Sequence, residues 1–392
     1  MGRSVFKDES PLTMEYVPNR LLFRDEQLKF LAQLFRFVLE KPGSMSQRVL
    51  ITGSIGTGKT VLAQRFGQDL TRAARQRRVN VEYLHINCRE QRGSSFLILR
   101  NAINSFVSKF PRRGFSPEEL LQTLMEILDE KNIYLVLGLD ELEYLINTEG
   151  STALYNLSRV QEGRIGSPIR LSLICILREP RRLQQLDAST IATLQRNIVE
   201  LDKYTAPQLQ KILEDRSELA FRKNSLSDEV LEFISDLAAQ TGDARYAIEL
   251  LWRAGKYADS QNESLVTPDH VRSAARSVYA TLREDHIRAL PRHEKLFLLA
   301  TARVLDRNNA AYATLGEIEK AYRVACEEYS EKYRGHTQIW KYTKELISAG
   351  IVSTKKPATG FRGRTTPIGI PSTSLSSIAR LLESVLQRNK TG

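Results

Sequence analysis

The chain has 392 residues, 42% of them hydrophobic and 26% charged, values typical of a globular protein with room for two or three domains. It contains no apolar run of about 18 residues and no N-terminal signal-peptide pattern, so we expect no membrane contact and a cytoplasmic location. Cys88, Cys175 and Cys326 are far apart and odd in number, which argues against a disulfide framework or a cysteine metal site.

The net charge of +11 is unevenly distributed. Residues 291–392 hold 17 Lys and Arg against 9 Asp and Glu, whereas the first 290 residues hold 40 against 37. A cationic surplus confined to one region is typical of a segment that binds a polyanion. The last quarter of the chain is therefore the predicted contact region for nucleic acid.

The first predicted element is a helix over residues 27–40, followed by an apolar strand over 48–52. The strand leads into Gly-Ser-Ile-Gly-Thr-Gly-Lys-Thr, which has the spacing of a phosphate-binding loop and precedes a helix. Its glycines let backbone N–H groups turn toward a polyphosphate, Lys59 supplies positive charge, and the Thr60 hydroxyl can hold Mg²⁺. The predicted nucleotide contacts in this segment are Gly53, Ser54, Ile55, Gly56, Thr57, Gly58, Lys59, Thr60 and Val61.

Two acids end a buried strand downstream of the loop. Strands predicted at 79–88, 133–141 and 169–177 alternate with helices, which indicates a parallel sheet covered on both faces. Asp140 and Glu141 stand at the carboxyl end of the second of these strands, where side chains of such a sheet point into the ligand crevice. We expect Asp140 to orient Mg²⁺ and Glu141 to polarise an attacking water, with Lys59 as the third catalytic residue. His85 lacks partners at metal-ligand spacing and is assigned a structural role.

From Thr205 onward the pattern is helical, and helices predicted at 293–304, 315–329 and 336–348 precede two short strands joined by a basic link. Three helices followed by a basic hairpin are the order of a winged helix-turn-helix. The predicted fold is α/β with three domains: a parallel-sheet nucleotide-binding base over 1–204, an all-α lid over 205–285, and a winged-helix domain over 286–392.

The helix predicted at 336–348 has the pattern of a major-groove reader. Its polar side carries Thr337, Gln338, Lys341 and Lys344, and its apolar side carries Ile339, Thr343, Leu346 and Ile347. Arg362 and Arg364, at a glycine-flanked hairpin tip, are predicted to enter a minor groove or bind phosphate. The alternative is a solvated charged face.

The sequence alone gives less support to two further candidate contacts. The helix that contains Tyr155 and Arg159 is a second candidate for DNA contact, although an ordinary amphipathic helix on the sheet explains the same pattern. Arg245, at the start of a helix in the all-helical region, could reach an outer phosphate.

Taken together, these motifs resemble the archaeal origin-recognition and helicase-loading initiators, a family of AAA+ ATPases. The resemblance runs nearly end to end, through Tyr16-Val-Pro-Asn-Arg-Leu-Leu-Phe-Arg, the loop at 53–60, Leu139-Asp-Glu-Leu-Glu-Tyr-Leu, Gly242-Asp-Ala-Arg-Tyr-Ala-Ile, Leu290-Pro-Arg-His-Glu-Lys-Leu and Gly363-Arg-Thr. It implies an AAA+ base, a helical lid and a winged helix, with origin DNA bound by the winged helix and by the Tyr155–Arg159 helix. It also implies that Val17, Pro18 and Arg24 line the adenine pocket and that Arg245 is a second nucleotide sensor.

Two positions depart from the family pattern. Glu179 stands where the family usually has an Asn that positions the attacking water, and a carboxylate cannot donate a hydrogen bond to phosphate. The family's inter-subunit arginine tends to follow a Leu-Asp-x-Ser-Thr segment, but here Ile191 follows it and the next arginine is Arg196. We therefore expect firm nucleotide binding and slow hydrolysis.

The main hypothesis is a replication initiator that binds ATP or ADP with Mg²⁺, binds double-stranded origin DNA, and helps recruit the replicative helicase. Nucleotide would set the angle between the AAA+ and winged-helix domains. A paralogous initiator is a further expected partner, and nucleoid association is the expected location. Two alternatives stay open: an ADP-holding paralogue that acts as a DNA-binding repressor with little ATPase activity, and an AAA+ ATPase that remodels proteins.

Overall fold

The computed structural model describes residues 4–108, 110–111, 113–164, 166–194, 197–278, 284–355, 366–371 and 374–388. The chain divides into a unit over Val17–Tyr204 and a unit that combines Met1–Tyr16 with Thr205–Gly392. The N-terminal segment is therefore grouped with the residues after 205, while the division into three domains at 204 and 285 stays a prediction.

A five-stranded sheet with parallel pairings forms the centre of the first unit. Its strands are β1 (Arg48–Gly53), β2 (Val81–Asn87), β3 (Tyr134–Asp140), β4 (Leu171–Leu177) and β5 (Ile198–Leu201), in the order β2–β3–β4–β1–β5. The predicted strands and their parallel arrangement are confirmed, and β5 completes the sheet. Strand β4 lies between β1, which leads into the glycine-rich loop, and β3, which ends in Asp140.

Both faces of this sheet are covered because successive side chains of a strand point to opposite sides. Leu135 and Leu137 of β3 belong to one buried cluster, and Tyr134 and Val136 belong to another. The surrounding helices are α1 (Asp25–Leu34), α2 (Arg36–Glu40), α3 (Lys59–Gln76), α4 (Ser95–Asn104), α5 (Pro117–Glu130), α6 (Glu143–Glu149), α7 (Ser151–Arg159) and α8 (Ala188–Leu194). The helix predicted at 27–40 is two helices, because the chain turns at Phe35 and buries this ring 5.1 Å from that of Phe66.

The second unit is mainly helical. Its helices are α9 (Ala206–Ala220), α10 (Asp228–Ala239), α11 (Ala244–Ser260), α12 (Pro268–Val278), α13 (Glu284–Ala289), α14 (Arg292–Asn308), α15 (Leu315–Glu328), α16 (His336–Ser348) and α17 (Leu375–Arg388). The N-terminal segment joins it through a bridge between Phe6 and Phe221 and through Asp259, which accepts a 2.7 Å hydrogen bond from the Val5 backbone N–H.

The predicted winged-helix order is confirmed. Helices α14, α15 and α16 share one buried core with a small antiparallel sheet of β6 (Ala313–Thr314), β7 (Ser353–Thr354) and β8 (Pro367–Gly369), in the order β6–β8–β7. Helix α17 was not predicted, although the spacing of Ile378, Leu382 and Leu386, all buried, is a helical signal. In the described part of the chain, no helix combines the length and apolar character needed to cross a bilayer.

Candidate functional site

The glycine-rich loop after β1 has a backbone that requires glycine. Gly53, Gly56 and Gly58 have φ values of 148°, 73° and 88°, conformations that residues with a side chain rarely adopt. A Cβ atom on Gly53 would lie 2.5 Å from the carbonyl oxygen of Leu201. The loop leads into α3 at Lys59, so the end of the loop lies at a helix N-terminus. Backbone N–H groups at that position have no helical partners and favour an anion.

Side chains of the loop donate hydrogen bonds to the backbone carbonyls of the same loop. The Thr57 hydroxyl donates a 2.9 Å hydrogen bond to the carbonyl of Ser54, and Thr57 is fully buried. Lys59 Nζ donates to the carbonyls of Gly53 and Ser54 at 2.7 and 2.6 Å. The Lys59 ammonium therefore lies at the loop, where it can supply positive charge to a phosphate.

Arg24 supports this loop from the side. Its guanidinium is buried, donates to the carbonyls of Thr57 and Asp202 at 3.0 and 2.8 Å, and lies 4.2 Å from the ring centroid of Tyr204. Pro18 is buried and Val17 is half-buried. The contact of Val17, Pro18 and Arg24 with adenine stays a prediction. The described contacts of Arg24 are those of a residue that positions the loop.

Thr60 and Asp140 come together at the ends of the loop and of β3. The Thr60 hydroxyl donates a 2.7 Å hydrogen bond to Oδ2 of Asp140, a buried carboxylate. Both are oxygen donors of the kind Mg²⁺ prefers. Within the described ranges, no group of three or more His, Cys, Asp and Glu could hold a metal ion by itself. This donor set therefore fits a Mg²⁺ ion that takes most of its ligands from phosphate and water, the usual arrangement for this cation.

Glu141 lies next to Asp140 in an unusual environment. Its φ of 51° is in the left-handed region, and its backbone N–H donates a 2.7 Å hydrogen bond to the Asp140 carboxylate. The Glu141 carboxylate forms an ion pair with Arg178, whose Nε lies 3.3 Å from Glu143. Burial raises the pKa of Glu143, and the charge of Asp140 adds to this effect. The candidate water-polarising residue is therefore already paired with a cation.

The residues at the two departures from the family pattern have different environments. The Glu179 side chain is 68% exposed and its carboxylate lies 3.9 Å from Arg182. Ile191 is partly buried against the core of the first unit. Arg196 is outside the described residues.

Arg245 belongs to the second unit, at the start of α11. The Asp243 carboxylate caps that helix by accepting hydrogen bonds from the backbone of Arg245 and Tyr246 at 2.8 and 3.1 Å. The Arg245 side chain is exposed. Its role as a nucleotide sensor stays a prediction.

On α16 the predicted polar side faces solvent. Thr337, Lys341 and Lys344 are exposed and Gln338 is half-buried. The prediction for Ile347 was wrong: it is 36% exposed, and the buried side of the helix consists of Ile339, Tyr342, Thr343 and Leu346. Arg362 and Arg364 are outside the described residues.

On α7 the two predicted contact residues form a pair. The Arg159 guanidinium lies 4.8 Å from the ring centroid of Tyr155, and Tyr155 is 42% exposed. Ala153, Leu154 and Leu157 of the same helix are buried in the core of the unit. Helix α7 is thus an amphipathic helix on the sheet with an exposed Tyr155 ring, and its contact with DNA stays a prediction.

Sequence reasoning missed three residues of the site: Arg178, Glu143 and His85. Nε2 of His85 lies 3.3 Å from Oδ2 of Asp140, and Nδ1 lies 3.0 Å from the Tyr83 hydroxyl. The signal available in the sequence was position, since His85 lies in the last three residues of β2 and Arg178 directly follows β4, and both strands flank β3.

A loop of this geometry on a parallel sheet, followed by a helical region and a winged helix, defines an AAA+ protein with a winged-helix domain. Three family models match in chain order: an AAA domain at residues 44–183, a Cdc6 AAA+ ATPase-type lid domain at 210–276, and a CDC6 C-terminal winged-helix domain at 285–376.

Comparisons with individual proteins agree with the family models. The chain is 35% identical to the ORC1-type DNA replication protein 2 of Sulfolobus acidocaldarius, over 94% of this chain and 91% of that one. It is 30% identical to the crystal structure of Cdc6p from Pyrobaculum aerophilum, with a TM-score of 0.87 over 98% of this chain and 100% of that one. It is 26% identical to the Aeropyrum pernix ORC1 protein in complex with DNA, with a TM-score of 0.64 over 100% and 98% of the two chains. The chain belongs to the archaeal ORC1/Cdc6-type family of DNA replication initiators.

Proposed function

We propose that this chain is a nucleotide-controlled replication initiator. It binds ATP or ADP with Mg²⁺ at the loop over 53–60, binds double-stranded origin DNA through α16 and α7, and helps recruit the replicative helicase, with a paralogous initiator as a further partner. The observation that carries the proposal is the presence, in one chain, of a preformed phosphate loop and a winged helix with exposed lysines on α16.

Each part of the nucleotide site would have a distinct task. The backbone of the loop and Lys59 would bind the phosphates, while Thr60 and Asp140 would hold Mg²⁺, which neutralises phosphate charge when bound. Glu141 would polarise the attacking water. Its ion pair with Arg178 opposes this task, because a paired carboxylate is a weaker hydrogen-bond acceptor for water. We therefore propose slow hydrolysis, and the same ion pair favours, as the second candidate, a DNA-binding regulator that retains ADP.

The DNA-binding part rests on polar, aromatic and cationic side chains that are exposed or half-buried. Lys341 and Lys344 of α16 supply charge for phosphates, and Thr337 and Gln338 supply hydrogen-bonding groups that can read base edges. Tyr155 and Arg159 of α7 combine an aromatic surface with a cation, a combination suited to a DNA backbone and groove edge.

Nucleotide binding is tested by denaturing the purified protein and identifying the released nucleotide. We expect bound ADP or ATP in the wild-type protein and its loss in Lys59→Ala. Material that neither retains nor takes up adenine nucleotide would contradict this part of the proposal. Repeated turnover of added ATP would exclude the ADP-retaining regulator.

Duplex binding is tested by measuring affinity at several salt concentrations for the wild type, Lys341→Ala, Lys344→Ala and Tyr155→Ala. Each lost phosphate contact should make the negative slope of log K against log salt shallower by about 0.9. Lys223→Ala is the matched control, because Lys223 is exposed in the loop after α9. Weak, salt-insensitive binding in the wild type would instead favour an ATPase that remodels proteins, and an unchanged Tyr155→Ala would remove α7 from the interface.

A further inference from the structure

The turn between α15 and α16 presents cations beside the helix that is predicted to read DNA. This turn covers residues 329–335, and Lys332, Tyr333 and Arg334 in it are exposed. In helix-turn-helix proteins the N-terminal residues of the second helix contact base edges, so side chains directly before that helix lie close to the duplex. Arg334 stands two residues before His336, the first residue of α16. It is therefore a candidate for contact with a DNA phosphate.

A histidine of another helix holds the Arg334 side chain. Nε of Arg334 donates a 3.3 Å hydrogen bond to Nε2 of His293, which lies in the first turn of α14. Nδ1 of the same ring is 2.8 Å from the hydroxyl of Tyr322 on α15. The ring also stacks on Tyr342 of α16, with an interplanar angle of 2° and a centroid distance of 6.4 Å. His293 thus links α15, α16 and the turn between them.

The chemistry of Arg334 determines the protonation of His293 in this arrangement. A guanidinium has N–H donors and no acceptor, so Nε2 of His293 must be the acceptor. The form of imidazole that accepts at Nε2 is the neutral ring with its proton on Nδ1, which then donates to the Tyr322 oxygen. Burial lowers the pKa of His293, and the positive charge of Arg334 adds to this effect, so the ring is neutral at neutral pH.

Two further charged groups lie near this ring. A carboxylate oxygen of Glu331 is 3.8 Å from Nε2 of His293, and the other oxygen accepts a 2.6 Å hydrogen bond from Nε of Arg292. The negative charge of Glu331 is thus matched by Arg292. Arg334 is oriented by a neutral acceptor, which uses one of its five N–H donors and leaves its positive charge uncompensated at that contact.

We propose that His293 is a positioning residue for DNA binding: as a neutral acceptor, it holds Arg334 at the N-terminal end of α16, where the guanidinium contacts a DNA phosphate. This inference rests on the proposed duplex-binding function. A carboxylate in the place of His293 would orient Arg334 as well, but its charge would oppose contact with a phosphate. His293 itself does not touch DNA and acts through Arg334.

The test is a double-mutant cycle on duplex affinity, measured across salt concentrations at neutral pH. Arg334→Ala should weaken binding by about tenfold, the effect of one hydrogen bond to a charged group, and should make the negative salt slope shallower by about 0.9. His293→Phe keeps an aromatic ring and removes the acceptor. It should weaken binding by about threefold to fivefold, the cost of ordering one long side chain on binding. In the Arg334→Ala background, His293→Phe should cause no further loss.

Two more variants define the comparison. His293→Gln places an amide oxygen near the position of Nε2, so it should recover part of the affinity that His293→Phe loses. Arg307→Ala is the matched control, because Arg307 is an exposed arginine in the last turn of α14, about 20 Å along the helix from His293. Its removal changes the net charge by the same amount as Arg334→Ala and should leave the salt slope unchanged.

The outcomes separate the explanations. An equal loss from His293→Phe in the wild-type and Arg334→Ala backgrounds would mean that His293 only stabilises the domain, and would overturn the inference. Should His293→Phe fail to fold, His293→Asn, whose amide is too short to reach Arg334, replaces it in the cycle. Wild-type protein without salt-dependent duplex binding would overturn the proposed function itself. Wild-type protein that binds duplex with an affinity unaffected by Arg334→Ala would overturn this inference alone.

Discussion

Nε2 of His85 lies 3.3 Å from Oδ2 of Asp140, the oxygen that also accepts the Thr60 hydroxyl. The Tyr83 hydroxyl, 3.0 Å from Nδ1, can donate to the other side of the ring, which leaves the proton on Nε2 for Asp140. Tyr83 fits because residue 138 is glycine: a Cβ there would lie 2.5 Å from the Tyr83 oxygen. A chain of hydrogen bonds thus orients the carboxylate that we assign to Mg²⁺.

Replacement of His85 is expected to weaken Mg²⁺-dependent nucleotide binding. Residues that orient a metal ligand typically change metal affinity by about 10–100-fold, so His85→Ala should lower nucleotide affinity with Mg²⁺ by about tenfold. Affinity measured in EDTA should change little, since the phosphate loop is not altered. Tyr83→Phe should give a smaller effect in the same direction. Equal losses with and without Mg²⁺ would show that His85 stabilises the fold and does not act on Asp140.

The backbone of the phosphate loop gives a second prediction. Gly53→Ala combines a disfavoured φ with a contact of 2.5 Å to the Leu201 carbonyl, and such strain costs roughly 1–3 kcal/mol. We expect a lower melting temperature and loss of nucleotide binding. Gly163→Ala is the control, because a Cβ there meets no atom within 4 Å. A Gly53→Ala variant with wild-type affinity and stability would contradict the loop geometry.

Arg272 gives a third prediction, within the second unit. This fully buried side chain on α12 donates to the carbonyls of Ile370, Ala310 and Ala311 at 3.0, 2.7 and 3.2 Å. Burial lowers the pKa of Arg272 to about 10, so the guanidinium stays charged at neutral pH. Arg272 thus joins the lid region to the winged-helix region.

Arg272→Ala leaves buried carbonyls without donors and creates a cavity, so we expect a loss of roughly 2–4 kcal/mol in the free energy of unfolding of this unit. Hydrogen exchange should also become faster around residues 310–312 and 370. Arg276→Ala, an exposed position on the same helix, should change stability by less than about 0.5 kcal/mol. Similar melting curves for the two variants would show that Arg272 does not stabilise this contact.

A fourth prediction concerns pH. Burial, together with a hydrogen bond and charge repulsion from Glu345, raises the pKa of Glu294 to about 7 from a usual value of 4.5. The folded chain therefore binds this proton more tightly than the unfolded chain, and the contribution of Glu294 to stability falls as pH rises from about 4.5 to about 7.

Glu294→Gln removes this titration. We expect the melting temperature of the wild type, relative to that of Glu294→Gln, to decrease between pH 5 and pH 8. Taking the difference between the two proteins cancels the titrating groups that do not interact with Glu294. A difference that is the same at both pH values would contradict the raised pKa.

Features set by local spacing were predictable from sequence. The phosphate loop, the acids at the end of β3 and the solvent-facing side of α16 depend on neighbouring residues and on helical or strand periodicity. Ile347 is the exception, since a helix with a narrow buried stripe exposes a residue at its edge. The burial of Ile347 was predicted wrongly because burial depends on which residues pack against the core, and tertiary structure determines this.

Features set by strand order were not predictable. Arg178 meets Glu141 because β4 lies beside β3, and His85 meets Asp140 because β2 lies on the other side of β3. Asn87, and not His85, is the register partner of Asp140. The strand pairing alone therefore does not predict the contact between His85 and Asp140, which also depends on the direction of the His85 side chain. Arg24 shows the same limit, because its partners on the loop and around Tyr204 are distant in sequence.

The most direct test of the account is the affinity of the full chain for duplex DNA, measured across salt concentrations with ATPγS, with ADP and without nucleotide. We predict that log affinity falls linearly with log salt and that the bound nucleotide changes the affinity at every salt concentration. A duplex affinity that is insensitive to salt and identical in the three nucleotide states would contradict the central claim that this protein is a nucleotide-controlled DNA-binding initiator.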